Sequence, residues 1–222
     1  MSKRVLLAAP RSFCAGVDRA IEIVERLLAE HGPPIYVRHQ IVHNDHVVRR
    51  LERLGAVFVD DEEEVPKGEI CVLSAHGVAP SVRENCERRG LRVVDAVCPL
   101  VSKVHAEARR YADSGHVVAL VGHADHVEVI GTRGERPDAT VVVESPEEAA
   151  NLDSGGKPIA VISQTTLSLD DVRATSCRTS FVMSSTVSVG SAAAIETGIS
   201  TEVIARLPPP GADGSARPRA RR

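Results

Sequence analysis

Short, wholly apolar runs alternate along this chain with stretches in which apolar residues recur every three or four positions. Val5 to Ala9 is continuously apolar, the signature of a strand covered on both faces, and Val17, Ile21, Val24 and Leu28 then follow helical spacing. Pro33-Pro34 ends that helix. Ile35, Tyr36 and Val37 open a second strand, Val47, Leu51 and Leu54 give a helix its apolar face, and GAVFVDD supplies a third strand. The alternation continues with strand Ile70 to Leu73, a helix from Pro80, strand residues Leu91, Val93 and Val94, and a helix marked by Val101, Val104, Ala108 and Ala112. Strands at Val117 to Val121, Thr140 to Val143 and Ile159 to Ile162 follow, with a helix cap at Ser145-Pro146 and a last helix begun by Leu167 and Asp170 to Val172. The pattern predicts an α/β fold of repeated small modules, each a mainly parallel sheet with flanking helices.

Chemistry-bearing residues fall where strands end. Cys14 follows the first strand and Cys98 follows the Leu91–Val94 strand, so two strand, Cys-loop and helix units repeat 84 residues apart. In open α/β sheets the carboxyl edge is where ligands bind, and convergent thiolates imply a soft metal or an iron-sulfur cluster. A buried structural cysteine is the competing reading at either position. His76 ends strand Ile70–Leu73, and strand Val117–Val121 delivers Gly122-His123-Ala124-Asp125-His126-Val127-Glu128, two histidines and carboxylates of acid/base or ligand grade. His39, His43 and His46 stand at i, i+4 and i+7. On a continuous helix they would share a face and could hold zinc; otherwise they are loop and cap residues, or an anion site at a helix start. Hydroxyls from Ser163 to Ser168 either bind a polar ligand or cap the last helix.

Composition narrows the class. At 43% apolar residues the 222-residue chain can build a core, and with 2% aromatics and no Trp that core must rest on Val, Leu, Ile and Ala. A net charge of −3 gives no electrostatic argument for nucleic acid or an anionic membrane. No run approaches the roughly 20 apolar residues of a spanning helix, and the apolar start is too short for a secretory signal. Five cysteines without framework spacing suit a reducing, cytoplasmic setting. Cys71 is expected in the core, Cys86 half exposed on a charged helix, and the acidic run Asp60 to Glu64 in a solvated turn.

The segments PRSFCAGVDRAI, YVRHQIVHN, SAHGV, DAVCPLVSKVH, GHADHVEVIGT, VESPEE and SQTTLSLDD resemble, in order and spacing, the motifs of the 4-hydroxy-3-methylbut-2-enyl diphosphate reductase family over about residues 3–171. The resemblance implies reductive dehydroxylation of that diphosphate to isopentenyl and dimethylallyl diphosphate, the last step of the methylerythritol phosphate route. It also implies a 4Fe-4S cluster on three cysteines amid three pseudo-symmetric modules, of which two are present here. By residue-to-residue correspondence, Cys14 and Cys98 match two cluster ligands. His43, His76 and His126 surround the diphosphate, Glu128 gives the proton with which the hydroxyl leaves as water, and Thr165 is its hydrogen-bonding relay. The implied partners are the allylic diphosphate and an electron-donor protein such as ferredoxin or flavodoxin.

The resemblance divides the chain into a first module at 1–96, a second at 97–171 and a non-matching tail at 172–222. From Val172 on there is no Lys or His, three acidic residues face seven Arg, and thirteen residues are Ser or Thr. PPPGADGSARPRARR has no periodicity and is expected to be disordered. Cys177 lacks both the preceding strand and the family context. The expectation is a shifted or shortened reading frame, or an authentic short paralogue, and hence an impaired reductase. The alternative is a non-catalytic diphosphate- or metal-binding fragment of two modules.

Overall fold

The computed structural model describes residues 13–176. The strand expected at Val5 to Ala9, Cys177 and most of the expected tail lie outside the described residues.

Helix α1 spans Ala15–His31, and the chain then enters β1 (Ile35–Arg38), α2 (Asp45–Leu54), β2 (Ala56–Val59), β3 (Ile70–Leu73), α3 (Pro80–Arg88) and β4 (Arg92–Asp95). These strands form one parallel sheet in the order β2-β1-β3-β4, with Val37 opposite Val72 and Val72 opposite Val94. Helix α4 (Pro99–Asp113) leads to β5 (Val117–Val121), α5 (Val127–Arg133), β6 (Thr140–Val143), α6 (Pro146–Ala150), β7 (Ile159–Ser163) and α7 (Leu169–Ser176). A second parallel sheet runs β6-β5-β7. The expected α/β architecture of parallel sheets and flanking helices is what the chain forms. Within each sheet every strand points the same way, so the loops after the strands gather at one edge.

Each sheet is sandwiched by aliphatic side chains. Ala20, Ile21 and Val24 of α1 and Val47 and Leu51 of α2 bury against Ile35, Val37, Ile70 and Val72. On the opposite face, Cys71 and Leu73 pack with Val78, Cys86 and Leu91. Val104, Ala108 and Tyr111 of α4 cover Val118, Leu120, Ala160 and Ile162 of the second sheet.

Three expectations need correction. Cys86 is fully buried, because α3 lays that face on β3 and packs the thiol against Cys71. Glu62 is 5% exposed, not solvated; it accepts hydrogen bonds from Arg38 Nε and Asn85 Nδ2, each at 2.7 Å, and so ties β1 to α3. Burial alone would push the Glu62 carboxyl up, yet the bonds from Asn85 and Arg38 leave it below its ordinary value. Leu54 is 52% exposed while Val48 is buried, so the apolar stripe of α2 is centred between Val47 and Val48 and leaves Leu54 at its margin. Helix α7 runs from Leu169 to Ser176 and buries Val172 and Thr175.

The two sheets meet through backbone. A Cβ on Gly131 of α5 would lie 3.3 Å from the Gly77 carbonyl oxygen and from Val78 Cα, and one on Gly134 would run into the Ala79 methyl. Glycines here let α5 rest directly on the loop between β3 and α3.

Candidate functional site

Cys14 and Cys98 are the residues immediately before α1 and α4. Their sulfurs stand on either side of Gly16, where an added Cβ would lie 2.5 Å from Cys98 Sγ and 3.9 Å from Cys14 Sγ. Cys14 is exposed and Cys98 half-buried; both are free thiols, as are Cys71 and Cys86. Hydrogen bonds lock the Cys98 loop to its neighbours: Cys98 N–H donates to Ala75 O at 3.0 Å, and Arg19 Nη1 donates to Val97 O at 2.9 Å. The structure thus brings the two thiols together. Among the described residues no group of three or more His, Cys, Asp or Glu is arranged to hold a metal. Two soft thiol donors and the open space at Gly16 are what these residues could offer a metal or cluster.

One residue from Cys98's backbone partner lies His76. Its ring centroid is 4.3 Å from that of His43 and 5.9 Å from that of His126, while His43 and His126 are 5.2 Å apart. His43 precedes Asn44, whose side chain caps α2 by accepting from His46 N–H and Val47 N–H. His126 Nδ1 accepts from Glu128 N–H at 3.2 Å, which leaves its proton on Nε2; that atom is 3.2 Å from His43 Nε2. Three loops from two sheets converge on this point. Burial, aided by repulsion from His43, His126 and His39, lowers His76 to about 4, and His126 is lowered by burial and by His43 and His123. Burial and neighbouring imidazoles therefore disfavour a charge on His76 and His126, and an arriving anion would offset that repulsion.

Glu128 is 1% exposed. Its two oxygens accept from Thr165 N–H at 2.7 Å and Thr165 Oγ1–H at 2.9 Å. Burial pushes the carboxyl above its ordinary value, and the Thr165 bonds only partly offset it.

Other histidines stay outside. β1 ends at Arg38, and His39 occupies a left-handed bend (φ 57°), so His39, His43 and His46 share no helix face and the zinc reading fails. His123 is largely exposed and faces Glu144 at 4.0 Å. Of the hydroxyls after β7, Thr165 reaches Glu128, whereas Ser168 caps α7 by accepting from Asp171 N–H at 3.2 Å. Sequence reasoning missed His105 and Glu135, which form a buried pair. The signal was present, since His105 lies on the stripe formed by Val101, Val104 and Ala108.

The family model described as LytB protein matches residues 5–188. The chain belongs to the LytB family. Its LytB relatives include the 4-hydroxy-3-methylbut-2-enyl diphosphate reductase of Acidothermus cellulolyticus, 56% identical over 170 residues that make up 76% of this chain and 50% of that protein. The Tropheryma whipplei reductase of the same name is 54% identical over 172 residues, covering 77% of this chain and 55% of its own length. Among solved structures, the E-1-hydroxy-2-methyl-but-2-enyl-4-diphosphate reductase from Plasmodium falciparum superposes with a TM-score of 0.74 at 44% identity, over 77% of this chain and 54% of that one. This LytB chain spans about half the length of the curated relatives it matches. The family match extends past Asp171, where the motif correspondences end.

Proposed function

We propose that this chain carries part of the active site of a 4-hydroxy-3-methylbut-2-enyl diphosphate reductase. The convergence of His43, His76 and His126 beside a sealed Glu128 and the Cys14–Cys98 pair carries that reading. In it, the three imidazoles bind diphosphate oxygens through ring N–H groups, and the anion offsets the repulsion that disfavours a charge on His76 and His126. Glu128 holds a proton for the hydroxyl that departs as water, and Thr165 orients the carboxyl through both of its donors. The carbon skeleton gains two electrons and a further proton in exchange, giving isopentenyl or dimethylallyl diphosphate. Cys14 and Cys98 would be two ligands of a 4Fe-4S cluster, which when bound supplies those electrons and Lewis acidity at the hydroxyl. The electron donor would be a protein of the ferredoxin or flavodoxin kind, and four free thiols support a reducing, cytoplasmic setting.

The exposure of Cys14 favours a second reading, a diphosphate-binding two-module fragment that does not turn over. Anaerobic reconstitution, iron and sulfide counting, and an assay with the hydroxylated diphosphate separate the two. Cluster content with turnover abolished by Glu128→Gln upholds the reductase; binding without iron or turnover leaves the fragment.

A further inference from the structure

Helix α4 carries a polar group on its buried face that none of these roles requires. His105 is 6% exposed, and Glu135, just beyond α5, is 8% exposed. His105 Nδ1 lies 2.8 Å from Glu135 Oε1, and Arg109 Nη1 reaches the same oxygen at 2.8 Å. Burial alone would push the Glu135 carboxyl up, but the bonds from His105 and Arg109 hold it below its ordinary value. Glu135 is therefore the acceptor, and His105 Nδ1 carries the proton. The other ring nitrogen, Nε2, is buried without a hydrogen-bond partner. It is aimed at Gly77, where an added Cβ would lie 2.8 Å from Nε2, so the imidazole fills the space that the missing side chain leaves beneath the His76 turn.

Burying a nitrogen without a partner is unfavourable, and an apolar side chain would fill the same space without that cost. What the imidazole adds is connection. It belongs to the helix that begins after Cys98, it is bonded to Glu135 two residues past α5, and it touches the residue after His76. Helix α5 in turn holds Glu128 in its first turn.

We propose that His105, anchored by Glu135 and Arg109, is a positioning residue that sets where His76, Glu128 and Cys98 stand relative to one another. This rests on the reading of His76 and Glu128 as diphosphate and proton sites. The groups that act on Glu128 are Thr165 from the loop after β7, through two hydrogen bonds, and His105 from α4, whose electrostatic influence favours the carboxylate. His105 itself faces Glu135 and Arg109.

The test compares the 222-residue chain with His105→Leu and His105→Asn. Three quantities are read: thermal stability, the Glu128 titration followed by carboxyl carbon NMR, and affinity for inorganic pyrophosphate. Leu replaces the polar ring by apolar volume, so His105→Leu should keep or raise stability while the Glu128 midpoint moves up and pyrophosphate affinity falls roughly 2- to 30-fold. Asn retains a donor for Glu135 but vacates the space under Gly77, so His105→Asn should recover part of the affinity and none of the midpoint. If His105→Leu fails to fold, His105→Asn decides alone, by whether its midpoint rises. A Glu128 midpoint and pyrophosphate affinity unchanged in the folded variants would overturn the proposal. A parent chain that does not bind pyrophosphate overturns the diphosphate reading instead, and the Glu128 titration still judges His105.

Discussion

His43 Nε2 and His126 Nε2 lie 3.2 Å apart although one follows β1 of the first sheet and the other follows β5 of the second. Because His126 spends its Nδ1 on the Glu128 backbone N–H, the contact between the two rings orders the protons as well as the rings. A site built in this way is sensitive to pH, to ligand charge and to the distance between the sheets.

The pH response follows from His76. Its folded value, about 4, lies below the value of about 6.5 expected of the unfolded chain, so between these limits the unfolded state binds more protons. Stability from this residue is full above pH 6.5 and declines as pH falls towards 4, by about 2 kcal/mol at pH 5. Glu128, raised by burial, acts in the opposite sense, so the informative quantity is a difference. Melting curves at pH 7.5 and 5.0 should show the parent losing more stability than His76→Asn; equal losses would contradict the burial argument.

The thiols give a second expectation. Cys14→Ser and Cys98→Ser should each lower the iron retained after anaerobic reconstitution, whereas Cys71→Ser should lower stability without changing iron per folded chain. Burial raises the Cys71 thiol to about 12, which leaves it without thiolate at neutral pH. Gly16→Ala should behave like a ligand variant, since its methyl would press on Cys98 Sγ.

Thr165→Val removes one of the two donors to Glu128 and keeps the backbone one. The loss should destabilise the chain by about 1–3 kcal/mol and move the Glu128 midpoint upward, as read by chemical denaturation and by carboxyl carbon NMR. Thr165→Ser should restore both.

Turnover is expected to be far below that of relatives twice as long. A water-excluded site multiplies each electrostatic contact, and the loss of one preorganised donor costs roughly a hundred- to a thousandfold in rate. With Cys14 and His43 both exposed, steady-state assays should find only a small fraction of the full-length rate. Rates equal to those of a full-length relative, dependent on Cys177, would show that residues beyond 176 complete the site.

Much of this was legible in the chain because parallel strands announce themselves twice, as unbroken apolar runs and as loops bearing the unusual residues. The strands at 35–38, 70–73 and 117–121 lie where their Val and Ile runs predict. What periodicity could not reveal was pairing between distant polar groups. Glu62 reads as one of several acidic residues until Arg38 and Asn85 surround it, and Cys86 reads as a surface residue because its neighbours in sequence are charged while its neighbours in space are not. His105 differs, since its position on the apolar stripe of α4 was visible; only its partner, thirty residues away, was not.

Gly131 and Gly134 give the molecule a gauge. Because α5 and the residue after it rest on Gly77, Val78 and Ala79 with nothing larger than a methyl between, a larger residue at either position presses on that loop and strains the seat of the helix that carries Glu128 and follows His126. Two absent methyl groups, remote from any reacting atom, thus fix the aperture between the imidazoles. Drift at those positions would retune the site while leaving every residue of the chemistry in place.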